Sequence, residues 1–224
     1  MVVRRRIPLR DMKFRDRTDA GGQLATRLLT WHDANAVVLG LPRGGVPVAA
    51  EVARVLHVRL DVVPVRKLGV AYQPELAFGA IGEGGVRVVE QETLKSTGML
   101  KSEAAEVETC EERALRARIH HLRALHPAVP LWGKTAIVVD DGIATGATAK
   151  AACLSVRRRG AARVVLAVPV APTDWVANIG EAADQCVCVA EEPHFFGVGQ
   201  FYENFGQVSD DEVDRLLLAS RAAV

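Results

Sequence analysis

The feature that most constrains this chain is a pattern that occurs twice. An apolar run is followed by a glycine-rich loop, an amphipathic stretch and a second apolar run. The first copy is "NAVVLGL", "PRGG", "VPVAAEVARVLH" and "RLDVVPVRK". The second is "TAIVVDD", "GIATGAT", "AKAACLSVRRRG" and "ARVVLAVPV". Apolar runs of this kind read as strands buried on both faces, and a helix between two of them makes the parallel crossover unit. A helix near 174–182 and a strand in "QCVCVA" continue the alternation. The fold class is therefore α/β, a mostly parallel sheet flanked by helices. Strands are expected over 36–41 and 135–140, and the two unusual loops follow them. Ligands on such sheets sit beyond the carboxyl ends of strands, where the strand order reverses.

The rest of the chain fills in around this frame. "TDAGGQLATRLLTW" places Leu24, Leu28 and Trp31 on one helix face. "LGVAYQPELAFGAIGEGGVRVVEQE" reads as a hairpin or mobile flap. "MLKSEAAEVETCEERALRARIHHLRALH" is a long polar helix, acidic early and basic late, ended by Pro127 and Pro130. "EEPHFFGVGQFYENFGQ" holds five aromatic residues without periodicity. "SDDEVDRLLLASRA" closes as a helix, with Ser209 and Glu212 spaced for a capping box. A length of 224 residues suggests a single domain.

Composition excludes several classes. A net charge of +1 gives no basic excess for nucleic acid, so such a partner is not expected. The basic start, "MVVRRRIPLRDMKFRDR", lacks the apolar stretch of a signal peptide, and no run approaches a membrane span. Cys110, Cys153, Cys186 and Cys188 make no zinc or thioredoxin spacing and read as buried, reduced thiols of a cytoplasmic protein. Cys186 and Cys188 would share one strand face.

The loops carry the chemistry. "GIATGAT" is small throughout, offers the hydroxyls of Thr145 and Thr148, and leads into a helix N-terminus. Backbone N–H groups and the helix dipole converge there and suit a phosphate. Gly142 and Gly146 allow close approach. The carboxylates of Asp140 and Asp141 would repel that phosphate but can accept hydroxyl protons from a sugar diol. The order strand end, diol acids, phosphate cradle fits a ribose 5-phosphate. Other readings are a Walker B acid, which lacks its G-x-x-x-x-G-K-[ST] partner here, a magnesium or phosphoacceptor site, or an ordinary strand-to-helix turn. In "LPRGGV", Arg43 beside Gly44 and Gly45 can grip a diphosphate or form a tight turn with a solvated arginine. Lys67 adds an anion contact, and Arg66 alternates with it, so one of the two faces the crevice.

These residues resemble a known family. "VVDDGIATGAT" resembles the phosphoribosyl-diphosphate (PRPP) loop of type I phosphoribosyltransferases, "LPRGG" their diphosphate loop, and "PVRK" the strand end that follows. The resemblance covers roughly 35–170 by motif placement, and "PELAFGAIGEGG" and "FFGVGQFYENFGQVSDDEV" resemble a bacterial branch of the family.

The resemblance implies a set of roles. Asp140 and Asp141 would hold the ribose hydroxyls. Ile143, Ala144, Thr145, Gly146, Ala147 and Thr148 would bind the 5-phosphate. Arg43, Gly44 and Lys67 would contact diphosphate. A non-proline cis peptide is expected near Pro42–Arg43. The core would span about 35–170, a catalytic flap 68–100, and a hood about 12–34 and 171–224. Mg²⁺ would be held mainly by PRPP, with Asp140 or Asp141 completing its shell. Enzymes for 6-oxopurines carry an acid where Ala144 stands, so the acceptor is not expected to be one.

The implied function is transfer of ribose 5-phosphate from PRPP to a nitrogenous acceptor with release of diphosphate. No general acid or base is assigned, since Glu75 and Glu83 read as solvated flap carboxylates. Phe195, Phe196, Phe201, Tyr202 and Phe205 offer a platform for a planar acceptor, with Phe195, Phe196 and Tyr202 as hood candidates. The plainer reading is a hydrophobic plug under the C-terminal helix. His194 is ambiguous, and His120 and His121 read as solvated. The rival is a PRPP- or nucleotide-sensing regulator of the same fold, for which "VRRRG" and "VVRRRIPLR" would be the basic surface, although the first is more simply a helix C-terminus; a third reading is a binding module without catalysis. Family members are commonly dimeric; the residues themselves leave acceptor and oligomeric state open.

Overall fold

The computed structural model describes residues 13–70 and 72–222, without the side chains of Pro74, Glu75 and Ala222. The basic start over 1–12 and the Glu75 carboxylate therefore lie outside the described residues.

Helix α1 (Arg17–Arg27) begins where the Asp16 carboxylate accepts the Asp19 N–H at 2.9 Å. Leu24, Leu28 and Trp31 are buried together, as their spacing predicts, although Trp31 belongs to a short 3-10 turn. Strand β1 (Ala36–Gly40) is buried throughout and feeds α2 (Gly45–Leu56), with Pro47 in its first turn. Gly21 lets α1 close on α2, since a Cβ there would lie 2.8 Å from the Val48 carbonyl oxygen.

The expected single strand "RLDVVPVRK" is two strands. Pro64 has no N–H for a ladder and restricts Val63 before it. The chain ends β2 (Arg59–Val62), leaves the main sheet, and starts β3 (Val65–Val70) elsewhere. There β3 pairs antiparallel with β4 (Gln73–Gly82), and β4 with β5 (Val86–Val89). The expected hairpin is thus a three-stranded sheet, followed by α3 (Gln91–Thr97) and the polar helix α4 (Lys101–Leu125).

The second crossover is β6 (Thr135–Val139), α5 (Ala147–Arg158) and β7 (Arg163–Pro172). Helix α6 (Trp175–Ile179), β8 (Gln185–Glu192) and α7 (Asp210–Ala222) complete the chain's elements. The Ser209 hydroxyl caps α7 by accepting the Glu212 N–H at 3.1 Å. Five parallel strands run in the order β2-β1-β6-β7-β8. The sequence of strands therefore reverses direction between β1 and β6, the position where such sheets bind ligands. One face is covered by α1, α2 and α7, the other by α5 and α6.

The arginine run at the end of α5 is internal glue. Arg157 bonds Asp184 at 3.0 Å, Arg158 the Gly84 carbonyl at 2.8 Å, and Arg159 Asp61 at 3.0 Å. Asp61, 2 % exposed, also accepts from Arg123 at 2.7 Å. Glu83 lies 3.5 Å from Arg123 and 3.6 Å from Arg159, so this flap carboxylate anchors the β4–β5 turn to the core and is not solvated. The cysteines are unpaired, but Cys110 is exposed, against expectation, because α4 turns that side outward. Burial pushes Cys186 up to about 11 and Cys188 up to about 12. No helix among the described residues is long and apolar enough to cross a membrane.

Candidate active site

Strands β1 and β6 lie side by side with Gly40 opposite Val139, so the loops after them leave the sheet together. The glycines of the first loop press against the acids of the second. A Cβ on Gly44 would lie 2.1 Å from Asp141 Oδ2, and one on Gly45 would lie 2.8 Å from Asp140 Cα. A side chain at Gly44 would displace the Asp141 carboxylate, and one at Gly45 would push on the backbone of Val139 and Asp140. The Pro42–Arg43 peptide is cis, where the resemblance placed one.

Asp140 Oδ1 accepts the Asp141 N–H at 2.9 Å. Burial, then the adjacent Asp141 charge, push the Asp140 carboxyl well above the usual range. Burial also raises Asp141, opposed by Arg17. Arg17 was not singled out by sequence reading, yet it is central. Its Nε and Nη2 each lie 2.9 Å from Asp141 Oδ2. Its Nη1 donates to the Gly206 carbonyl at 2.7 Å, and its guanidinium sits 4.0 Å over the Phe205 ring. An arginine opening a helix in a charged stretch carries no sequence signal for such a contact.

The loop after the acids ends at Gly146, whose φ of 91° sets the entry into α5. The first N–H groups of α5 have no intrahelical partner and are available to an anion. Lys67, Asp140, Ala144, Thr145, Gly146 and Thr148 line a cavity of about 220 Å³ over that helix end. Lys67 reaches it from β3, not from a strand of the main sheet, while Arg66 turns away to Glu111 at 2.6 Å. Ile143 does not offer its N–H to this cavity, because it donates to the Val170 carbonyl at 3.0 Å. Ala147 is buried in a small apolar cluster with Ala80, Val86 and Val88. Arg43 is exposed, with Nη1 4.0 Å from Asp210, a carboxylate that Arg118 also holds at 2.7 Å.

The aromatic tail divides. Tyr202 is buried between Phe14 (5.4 Å) and Phe205 (5.0 Å), so its ring is not an open platform. Its hydroxyl donates to the Asp141 carbonyl at 2.6 Å, and burial pushes its ionisation upward. Phe195 stacks on Phe201 at 5.3 Å and is half-buried. Phe196 is 92 % exposed. The plug formed by Phe14, Tyr202 and Val170 lies by β7 rather than under α7. His120, His121 and His194 are exposed.

The arrangement provides carboxylates that can accept hydroxyl protons, a helix start that can cradle an anion, and cations on either side. The phosphoribosyl transferase domain family matches residues 16–203 of the chain. Two curated proteins of Mycobacterium tuberculosis strains, named "Putative phosphoribosyl transferase Rv0571c" and "Putative phosphoribosyl transferase MT0597", are each 54% identical over 200 residues. The match takes in 89% of this chain and 45% of each relative, so the chain spans about half the length of those proteins. The crystal structure of TT1426 from Thermus thermophilus is 42% identical, with a TM-score of 0.76, over 93% of this chain and 99% of that one.

Proposed function

Because this chain belongs to the phosphoribosyl transferase domain family, we propose that it transfers ribose 5-phosphate from PRPP to a nitrogenous acceptor, releasing diphosphate. The observation that carries this reading is the contact of the Gly44–Gly45 loop with Asp140 and Asp141 at the sheet's reversal point. It supports the reading because it puts the two acids and the start of α5 on one crevice.

In this reading Asp140 and Asp141 accept the ribose hydroxyl protons. Arg17 occupies Asp141 Oδ2, so a hydroxyl would use Oδ1. The 5-phosphate would take the N–H groups from Ala144 to Thr148 and the threonine hydroxyls. Arg43, Gly44 and Lys67 would hold the diphosphate, and the two cations would offset its charge as the bond to C1 breaks. The acceptor nitrogen then bonds C1 from the opposite face. An all-oxygen donor set fits Mg²⁺, which Asp140 or Asp141 would hold together with PRPP's own oxygens. When bound, that ion would help neutralise the diphosphate.

The hood would be built by α1 and the segment after β8, since Arg17, Tyr202, Phe205 and Gly206 converge on Asp141. Position 144, where the resemblance implies an acid in 6-oxopurine enzymes, holds an alanine at the cavity, which supports an acceptor other than a 6-oxopurine. Exposed Phe196 is the open aromatic face for a planar acceptor. The chain is read as one domain in a reducing, cytoplasmic setting, supported by its unpaired thiols. The internal bonds of Arg157, Arg158 and Arg159 take "VRRRG" away from a nucleic-acid-binding regulator, while the other basic stretch lies outside the described residues.

Calorimetric titration with PRPP and Mg²⁺, followed by an acceptor screen for diphosphate release, tests the proposal. Undiminished affinity in an Asp140→Asn, Asp141→Asn double variant would sink the ribose assignment. PRPP binding without release from any purine, pyrimidine or amine would favour the sensor.

A further inference from the structure

At the far end of α2 from the catalytic loops, two imidazoles and a carboxylate converge. His32 Nδ1 lies 2.8 Å from Asp33 Oδ2, and His57 Nδ1 lies 3.6 Å from Asp33 Oδ1. The two rings are 4.6 Å apart between centroids. One ligand atom from each residue can be chosen so that all lie within 4.8 Å of one another. Tetrahedral ligands at about 2.0–2.1 Å from an ion stand about 3.4 Å apart, so small side-chain rotations suffice to close the set.

The backbone holds the three side chains together. Among the described residues, Asp33 (φ 51°) and His57 (φ 54°) are the non-glycine residues at positive φ. Aspartate and histidine are among the non-glycine residues that adopt this conformation most readily, and here it turns both chain segments toward each other. His57 stands at the left-handed cap of α2, a place that glycine usually fills. The Asp33 N–H donates to the Leu56 carbonyl at 2.9 Å and fixes the two segments together. The C-terminal dipole of α2 also favours a cation at this point.

We propose that His32, Asp33 and His57 bind a divalent transition-metal ion of the zinc class. Two imidazole nitrogens and one carboxylate oxygen match that class and not Mg²⁺. The fourth position is left to water. The site is separate from the proposed active site: α2 has 12 residues, and its length of about 18 Å lies between them. Its effect is to clamp the segment before β1 to the end of α2.

The test uses Zn²⁺ as the probe on untagged, chelator-treated protein. Calorimetry should find one site, and Zn²⁺ should raise the melting temperature. His32→Ala and His57→Gly should each weaken binding at least tenfold and abolish the rise. His57→Gly suits the left-handed backbone, so its loss of binding cannot be laid to misfolding. Cys110→Ser and His121→Ala should bind as the parent does. No Zn²⁺ binding by the parent, or parental affinity in both His32→Ala and His57→Gly, overturns the proposal.

Discussion

Arg17 and Asp141, 124 positions apart, meet through two nitrogens on one carboxylate oxygen, each at 2.9 Å. Both side chains are largely buried, at 12% and 14% exposure. Removing one partner of such a pair leaves a buried charge and costs about 3 kcal/mol. Arg17→Ala should show that loss in urea unfolding at neutral pH. It also removes the one influence of a neighbouring group that lowers Asp141, so PRPP binding should become weaker and its pH dependence should move upward.

Asp140 titrates above the normal carboxylate value of about 3.9, so between that value and its raised one the folded chain binds more protons than the unfolded chain. Its contribution to stability therefore falls as pH rises through this window. Asp140→Asn should flatten that slope and stabilise the free protein at neutral pH by about 1 kcal/mol. The same variant should lose PRPP affinity at least tenfold. Unfolding curves at several pH values, paired with calorimetry, check both halves.

Gly44→Ala places a methyl 2.1 Å from Asp141 Oδ2, so the carboxylate must move. The cost to stability should be about 1–3 kcal/mol, the range for overpacking. PRPP binding should suffer more than stability does. Gly197→Ala, where nothing lies within 4 Å, is the control expected to bind PRPP normally.

Tyr202→Phe keeps the ring between Phe14 and Phe205 but deletes the bond to the Asp141 carbonyl. A loss of about 1 kcal/mol is expected, with a modest rise in the KM for PRPP. Phe196→Ala should leave stability unchanged and raise the KM of the acceptor alone, because the ring is 92 % exposed. Steady-state kinetics with each substrate varied in turn separates the two.

Asp61→Ala should be the most damaging change outside the crevice. It removes the buried carboxylate that Arg123 and Arg159 share, leaving them Glu83 at 3.5–3.6 Å and backbone carbonyls, and it takes the acceptor from the N–H groups of Val62 and Val129. The expected loss is about 3–5 kcal/mol, visible as a lower denaturant midpoint.

The crossover units and the adjacent acids at the end of β6 were legible because each is written in consecutive residues. Strand bounds came within one residue at 36 and 135. What stayed hidden depends on pairings between distant segments. Nothing near Arg17 announces Asp141, and nothing near Glu83 announces Arg123 and Arg159. Pro64 did carry a signal that the strand around it could not continue, but only the sheet shows that Lys67 returns to the crevice from a different ladder. For Tyr202 the plainer reading, a hydrophobic plug, is the one the structure bears out, but aromatic type alone did not announce its hydroxyl bond to Asp141.

The tie between Arg17, Asp141 and Tyr202 also sets an order of events during synthesis. A nascent chain that has reached Glu192 already holds every strand of the parallel sheet. It still lacks the Tyr202 hydroxyl and the Gly206 carbonyl that fix the acid and its arginine. Domains form as their segments leave the ribosome, and contacts of long sequence separation close last. The strands are thus all encoded before the residues that finish the crevice, so a chain stopped at Glu192 would carry the frame of this protein without the groups that fix Asp141 and Arg17.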